Sequence, residues 1–519
     1  MDRALLAYAL LPIPPLLAGA VVPLLARFTP EASARWAQAA VLVPLFALAA
    51  AHALPLLSGT PGAEPALGLE FMSTLLAVMV SLIALAVLRF GRRYLDGDPT
   101  LPLFCALASA LVSAVLTMLV AGNLIALAIG WIATGALLRR LLLLRTDRPG
   151  ARRAADAQFR AAVVGDSSLL LAAIYAIAVA GSAGLPEVFE AAATRPAFAI
   201  PMAVLLALAA MAMSAQLPFH TWLPDSMETP TPVSALLHAG VVNAGGVLLI
   251  RMSPLMREAP VVLAALAFVG ALSASVAAVV MLAQTDIKRK LAYSTLAQMG
   301  FMLMQCGLGA FGAAALHLVG HSFYKAYAFL SSGAHAGPKP TPVELDGRPA
   351  PQVGLATALA SVGAGVAIVF GACWALGVEP ATKAGAPVLI SVLAIGLGQI
   401  LSSAHGVGGA PLRRTLESLL LGGLIAGAYF AGVGFLDAQI GAPGPVATTS
   451  PLATTVAWTL SLFFLASFAL QTLLPRHAER PLLQKLYVHA RNGFYLGPIF
   501  QSLFERRRSA PLATSLRGE

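Results

Sequence analysis

The sequence contains few charged residues for its length. Only 11% of the 519 residues are Asp, Glu, Lys or Arg, whereas 58% are hydrophobic, and the mean hydropathy is +0.82. Soluble domains need a polar exterior, so this composition excludes them as the main part of the chain. Apolar runs of about 20 residues recur throughout, and a helix of that length crosses ~30 Å of hydrocarbon. We therefore predict an all-α polytopic membrane protein.

The short motifs of catalytic and metal sites are also absent. The three cysteines, Cys105, Cys306 and Cys373, lie in apolar runs without a Cys-x-x-Cys pair, which is typical of packing residues. No phosphate-binding glycine loop, nucleophile elbow or metal-ligand spacing occurs. We therefore expect no catalytic residue, no cofactor and no metal in this chain, and we do not expect an enzyme.

Fifteen apolar segments are predicted to span the membrane. They cover residues 4–26, 36–57, 69–90, 101–121, 123–144, 159–181, 198–222, 231–250, 259–283, 290–308, 312–334, 352–375, 385–405, 415–436 and 453–474. If the N-terminus is periplasmic, the cytoplasmic loops and tail contain 27 of the 33 Lys and Arg residues, and five, Arg251 among them, lie outside. Such a split predicts a bacterial inner-membrane protein with a cytoplasmic C-terminus. It also explains the net charge of +10 without nucleic-acid binding.

Composition changes after Pro475, so residues 1–475 are predicted to form the transmembrane domain and residues 476–519 a basic amphipathic cytoplasmic tail. The tail combines aromatic and basic side chains, namely Tyr487, Phe494, Tyr495, Phe504, Arg491 and the run from Arg506 to Arg508. These residue types are typical of a helix on anionic lipid and equally of a protein contact. Both interpretations remain open.

His317, His321 and Lys325 form the densest group of ionisable residues within one predicted span. Steps of four residues place them on nearly one helix face, ~6 Å apart along the axis, as a ladder. An ionisable side chain at mid-span costs about 2.5–3.5 kcal/mol, so each one needs a reason. A proton path is one reason, since histidine titrates near neutral pH. Structural hydrogen bonds are the other, and the alignment of three groups favours transport.

A second polar region follows the seventh predicted span. Pro218 and Pro224 are expected to end the helix near residues 214–217, which frees backbone carbonyls. Such breaks are tolerated in a membrane where protein or water satisfies the freed groups, and broken helices line the pathways of many transporters. The carboxylates Asp225 and Glu228 belong to this broken-helix region.

Two further residues are assigned to the predicted path. His238 lies in the next span among small residues, which allow close helix packing. Asp166 lies near the predicted cytoplasmic start of its span, where a carboxylate pairs with a cation or caps a helix.

Three segments resemble one family of membrane proteins. They are PFHTWLPDSMETPTPVSALLHAG at 218–240, QTDIKRKLAYSTLAQMGFM at 284–302 and HLVGHSFYKAYAFLSSG at 317–333. They are similar to the proton-antiporter module of the large antiporter-like subunits of NADH:quinone oxidoreductase, Mrp antiporters, membrane hydrogenases and DAB inorganic-carbon transporters. The resemblance covers roughly residues 65–335. It implies two inverted five-helix repeats, at about 101–250 and 259–405, each with a broken helix.

The sequence departs from the pumping members of complex I at three positions. Ile132 in GWIATG occupies the place of a glutamate, and Met213 occupies that of a lysine before SAQLP. The third expected lysine has no counterpart in LASVGAGVAIVFGACWAL. The first half-channel is therefore interpreted as disabled or rebuilt, with an apolar contact between positions 132 and 213.

Two more segments resemble the membrane subunit of DAB transporters, namely RFGRRYLDGDP at 89–99 and LYVHARNGFYLG at 486–497. This resemblance implies a soluble or peripheral zinc-bearing partner on the cytoplasmic face, related to β-carbonic anhydrases. That partner would hydrate CO2 to bicarbonate, and this chain would conduct the H+ or Na+ that drives the reaction. Zinc is thus expected in the partner. A complex I or Mrp-type antiporter subunit and a non-conducting membrane anchor remain as alternatives, and membrane lipid is the other expected contact.

Overall fold

The structure is a computed structural model that describes residues 10–25, 30–58, 69–335, 355–379, 385–405, 411–441, 451–473, 480–497 and 499. Regular structure in these ranges is helical, apart from one isolated bridge between Asn123 and Gly184. The α-helices, in chain order, are α1 Ile13–Leu25, α2 Pro30–Ser58, α3 Leu69–Tyr94, α4 Leu101–Val120, α5 Leu124–Leu142, α6 Pro149–Ala180, α7 Leu185–Thr194, α8 Pro196–Met213, α9 Trp222–Asp225, α10 Thr231–Ala239, α11 Ala244–Arg251, α12 Ser253–Arg257, α13 Pro260–Leu282, α14 Ile287–Gly307, α15 Phe311–Leu330, α16 Leu355–Ala375, α17 Ala386–His405, α18 Pro411–Ile440, α19 Pro451–Leu473 and α20 Pro481–Arg491.

The predicted fold class is confirmed. Among the described residues, eight helices are long and apolar enough to cross a membrane, and four shorter apolar helices accompany them. Each of the fifteen predicted segments overlaps a helix, because long apolar runs satisfy their backbone groups internally as helices. The number of fifteen crossings stays a prediction, as do the two repeats.

Two of the differences from the predicted helix boundaries affect the polar region. Helix α6 begins at Pro149, ten residues before the predicted start at 159, so Arg152 and Arg153 lie on the helix and not in a loop. Proline suits the first helical position, where no backbone donor is needed. The predicted span 231–250 consists of two helices, α10 and α11, joined by a 3₁₀ turn after Gly240.

Close helix packing in the second half depends on glycines. Helices α13 and α14 form the most extensive helix pair in the described fold. A Cβ added at Gly270 would lie 2.6 Å from the carbonyl oxygen of Gly300, and one at Gly307 would lie 2.3 Å from the backbone nitrogen of Ala267. Small residues let the two backbones approach each other in this way.

One end of the helix bundle carries the basic loops, and we call it the basic face. Arg145 donates to Asp98 at 2.6 Å, and Arg148 donates to the carbonyl of Glu228 at 3.0 Å. The Glu228 carboxylate in turn accepts the backbone N–H of Gly150 at 2.7 Å. These contacts hold the α3–α4 loop, the start of α6 and the turn after α9 together.

The other end of the bundle is called the opposite face, and Arg251 is buried there. We predicted a periplasmic loop position for Arg251, but its side chain is only 7% exposed. Its guanidinium donates to the carbonyls of Met118 and Ala121, the latter at 2.6 Å. Carbonyls at a helix end have no intrahelical partner, so this arginine caps the end of α4.

Candidate functional site: a polar path beside a broken helix

The ladder residues lie on one uninterrupted helix, α15. Lys325 is fully buried and His321 is 6% exposed, whereas His317 is partly buried. The rings of His317 and His321 have centroids 6.1 Å apart and meet edge to face. Helix α15 packs against α10, α14, α18 and α3, so the ladder lies inside the bundle and not on its lipid-facing side.

His317 has a defined polar partner. Its Nδ1 atom lies 3.0 Å from Oε1 of Gln305 on α14. The Gln305 side chain is almost fully buried. Because an amide oxygen only accepts hydrogen bonds, this contact requires a proton on Nδ1 and leaves Nε2 free to exchange one when the ring is neutral.

Lys325 lies at the end of the ladder nearer the basic face. Its ammonium group donates to the carbonyl of Leu291, in the second turn of α14, at 3.1 Å. Among the described residues, no carboxylate forms an ion pair with it. A fully buried lysine in a chain of this class is unusual, because burial of an unpaired charge is costly.

His238 joins the ladder from α10. Its ring stacks on Phe329 of α15, with centroids 4.4 Å apart, and it is completely buried. The side chain interacts electrostatically with Lys325 and His321. Neither nitrogen of the His238 ring and neither nitrogen of the His321 ring has a hydrogen-bond partner in the described structure. Buried polar atoms without partners are rare in native proteins, so these ring nitrogens need an explanation.

Asn243 connects the second break to the ladder helix. Its amide group donates to the carbonyl of Ala239 and to the hydroxyl of Ser322, both at 2.8 Å. The Ser322 hydroxyl then donates to Leu318 at 2.7 Å. Asn243 therefore closes the gap left where α10 ends and fixes α10 against α15.

The predicted break lies directly after α8. The helix ends at Met213, and Ala215 has φ +52°, a left-handed conformation that is uncommon for alanine. Ser214 donates to the carbonyl of Val242 at 2.8 Å, and Gln216 donates to the carbonyl of Ser214 at 2.7 Å. Pro218 follows in the loop, and the Gln216 amide satisfies the carbonyl of Ser214, which the break leaves without a helical partner.

The remaining residues of the broken-helix region lie towards the basic face. Pro224 is within the short helix α9. Asp225 interacts electrostatically with Arg153 and Arg289, and Glu228 binds the start of α6. These two carboxylates are engaged by the first turns of α6 and α14 and not by the ladder.

Asp166 is separate from the ladder. It lies on α6, which packs mainly against α5 and α8. One of its carboxylate oxygens is buried without a hydrogen-bond partner. Just before Asp166 along α6, a cavity of about 10 Å³ is lined by Trp131, Met213 and five other residues. Trp131, and not Ile132, lines this cavity beside Met213.

The breaks of the described helices lie in the first predicted repeat, and the broken helix implied for the second repeat stays a prediction. The described helices α13 to α17 run without a non-helical residue, and the two breaks of the described helices, after Met213 and at Gly240, lie in the first half. In the described residues, no group of three or more His, Cys, Asp or Glu side chains could hold a metal ion.

The described part of the tail lies on the helix bundle at the basic face. Gln284 donates to the carbonyl of Arg491 at 3.2 Å, and a Cβ added at Gly493 would lie 3.1 Å from the hydroxyl of Tyr293. Helix α20 borders an apolar groove of about 800 Å³ that α13 and α14 also line. Phe504 and Arg506 to Arg508 lie outside the described residues.

Comparison with known proteins identifies the family. Residues 121–340 match the family described as "NADH:quinone oxidoreductase/Mrp antiporter, TM". The "Probable inorganic carbon transporter subunit DabB2" of Halothiobacillus neapolitanus is 34% identical over 433 residues, which are 82% of this chain and 77% of that protein. The chain belongs to the NADH:quinone oxidoreductase/Mrp antiporter family. It is therefore a multi-pass membrane protein of the antiporter-like class.

Other antiporter-family members match a shorter part of the chain. The "Probable inorganic carbon transporter subunit DabB1" of the same organism is 42% identical over 270 residues, 51% of this chain and 48% of that protein. The "NADH-ubiquinone oxidoreductase chain 5" of Metridium senile is 38% identical over 271 residues, 51% of this chain and 45% of that protein. The chain spans about half the length of these two relatives.

An antiporter-family structure shows the same fold. A chain in the "Structure of Mrp complex from Dietzia sp. DQ12-45-1b" superposes with a TM-score of 0.65, covering 99% of this chain and 61% of that chain, at 22% identity. This likeness concerns the fold alone.

Proposed function

We propose that this protein is the membrane subunit of an energy-coupled inorganic-carbon pump in the bacterial inner membrane. The observation that carries the proposal is the extent of similarity to the DabB2 protein, which reaches 82% of this chain, whereas the match to NADH-ubiquinone oxidoreductase chain 5 stays within 51%. A relative whose similarity extends beyond the shared antiporter module is a better guide to the role of this chain than a relative whose similarity is confined to that module.

In this proposal the ladder of Lys325, His321 and His317 conducts H+ or Na+ through the second half of the bundle, and His238 is its fourth member. The free ring nitrogens of His321 and His238 support transfer, because a carrier needs a site that can take and release a proton. Asp166 would act as a separate polar group in the rebuilt first half-channel, since it lies on α6 and not on the ladder helix α15.

The energy of ion flow would drive a soluble or peripheral, carbonic-anhydrase-like zinc protein on the cytoplasmic side. This partner would carry the zinc and the CO2 hydration chemistry, so the chain itself would hold no cofactor. The basic face would point to the cytoplasm, because loops rich in Lys and Arg remain on that side.

Affinity purification of the full-length chain from its native membrane tests the proposal. We expect a stoichiometric zinc-containing protein in the eluate, and we expect co-expression of both proteins to restore growth in ambient air to a carbonic-anhydrase-deficient host. Recovery of NADH:quinone oxidoreductase or Mrp subunits, with no zinc protein, would contradict it. That result would support the second candidate, a complex I or Mrp-type subunit, which the 38% identity to chain 5 favours.

A further inference from the structure

The ladder on α15 stops well before the helix does. One further step of four residues from His317 reaches Ala313, and α15 begins at Phe311 with the sequence FGAAAL. Helix α15 therefore provides no titratable side chain between His317 and the opposite face. Any proton that reaches His317 must continue on another helix.

Helix α18 places polar groups beside this apolar end. Tyr429 on α18 lies beside the side chain of Gln305, which contacts His317. Two turns further along α18, the carboxylate of Asp437 accepts the backbone N–H of Gly312 at 3.2 Å. Tyr429 is thus level with His317, and Asp437 is level with the first turn of α15.

The approach of Asp437 to α15 requires a glycine at position 312. A Cβ added there would lie 2.3 Å from a carboxylate oxygen of Asp437. Arg257 interacts electrostatically with Asp437. Its guanidinium also donates to the carbonyl of Gly441 at 3.3 Å and lies over the ring of Phe311, 5.4 Å from its centre. These contacts hold the carboxylate at the opposite face, where it is partly exposed.

The spacing on α18 matches the spacing of the ladder. Tyr429 and Asp437 are eight residues apart, as are His317 and Lys325, and eight residues rise ~12 Å along one helix face. Together the two helices place polar groups over ~20 Å, from Lys325 to the level of Gly312.

We infer that Asp437 is the proton-release residue of the path, reached from His317 by way of Tyr429. This inference rests on the proposed function, in its proton-conducting form. A proton leaves the imidazole of His317 and is taken up by the Tyr429 hydroxyl, which gives up its own proton. Water carries that proton over the remaining ~12 Å to a carboxylate oxygen of Asp437, from which it is released to solvent. Arg257 stabilises the carboxylate that remains, and Gln305 acts as a positioning residue that sets the orientation of the His317 ring.

Proton flux in membrane vesicles that contain the complete native complex tests this inference. Asp437→Asn should reduce the flux at least tenfold, with unchanged amounts of protein in the membrane. Asp437→Glu should retain at least half of the flux, because a carboxylate is restored. The matched control is Glu258→Gln, which neutralises an exposed carboxylate at the same face, next to Arg257, and should leave the flux unchanged.

Wild-type flux in Asp437→Asn, together with loss of flux in Lys325→Ala, would overturn the release role and leave the proposed function intact. Equal flux in the wild type and in Lys325→Ala would contradict both the release role and the proposed function. If Asp437→Asn failed to accumulate in the membrane, Tyr429→Phe would decide, because it deletes only a hydroxyl group. We expect a several-fold reduction in its flux, and undiminished flux would refute the route through α18.

Discussion

At the scale of single residues, the ladder offers the sharpest functional test. Lys325→Ala removes a fully buried amine whose only described hydrogen bond is to a backbone carbonyl, so the loss should affect transport more than folding. We expect it to abolish growth in ambient air of a carbonic-anhydrase-deficient host that carries the pump, with normal membrane levels of the chain. His317→Ala and His321→Ala should each impair growth severely. Normal growth of all three variants would refute a proton path along α15.

Asp98 allows a prediction of pH dependence, because it lies in a loop outside the spans. Hydrogen bonds from Thr100 and then the charge of Arg145 hold the pKa of the Asp98 carboxyl below its usual value. A carboxyl group with a lowered folded-state pKa stabilises the protein above its unfolded-state pKa of about 3.9, and this stabilisation is lost as the pH falls through the folded-state pKa.

Asp98→Asn should therefore lower the unfolding temperature in detergent at pH 7, by about 1–2 °C for an ion pair worth below about 1 kcal/mol. The difference from the wild type should narrow below pH 4, where the wild-type carboxyl also becomes neutral. Asp96→Asn, at an exposed position in the same loop, is the control and should have no effect. A constant difference between pH 7 and pH 3 would show that the charge of Asp98 is not responsible.

At the scale of the helices, the close packing of α13 and α14 leads to a stability prediction. In Gly270→Val the new side chain would overlap the backbone of Gly300 and Met304, so the two helices must separate. Overpacking of this kind costs about 1–3 kcal/mol. The variant should unfold at a lower temperature in detergent than Gly371→Val, where an added Cβ meets nothing within 4 Å. Equal unfolding temperatures would show that the α13–α14 contact does not limit stability.

Individual helices also show what the sequence could predict. The long helices follow from continuous apolar runs. The break after Met213 follows from Pro218, because proline has no backbone N–H and its ring clashes with the preceding helical turn. The break at Gly240 has no comparable signal, because glycine in an apolar run is common in membrane helices. The start of α6 was predicted too late because its first turns carry Arg152 and Arg153, which a search for apolar runs excludes.

The ladder itself could be predicted because it depends on spacing within one helix. Its neighbours could not, since Gln305, Tyr429 and Asp437 reach it only through contacts between helices far apart in the sequence. The burial of Arg251 could not be predicted for the same reason. Its position at the end of a predicted span is typical of a loop residue, and its two carbonyl partners lie far away in the sequence.

At the scale of the whole molecule, we expect the tail to connect the helix bundle to the proposed partner. Leu482, Tyr487 and Val488 of α20 are exposed although apolar, while the bundle binds the end of that helix through Gln284. An apolar face on a basic helix suits a protein contact at the membrane surface. Deletion of residues 482–519 should therefore reduce recovery of the zinc protein several-fold in affinity purification, at equal levels of the membrane chain.

Deletion of residues 509–519 alone serves as the control for the tail prediction, because it leaves Arg506 to Arg508 in place. It should retain the partner. Full recovery of the zinc protein with the longer deletion would instead assign the docking surface to the internal loops of the basic face, and the tail would then be a segment on the lipid surface.

If ion flow through this chain drives inorganic-carbon uptake, bicarbonate accumulation in intact cells measures that coupling directly. Cells that express the chain with its partner should accumulate labelled bicarbonate above the external level, and an uncoupler that collapses the ion gradient should abolish the accumulation. The Lys325→Ala strain should resemble the uncoupled wild type before any uncoupler is added. Accumulation that persists at the wild-type level in both the uncoupled cells and the Lys325→Ala strain would contradict the account.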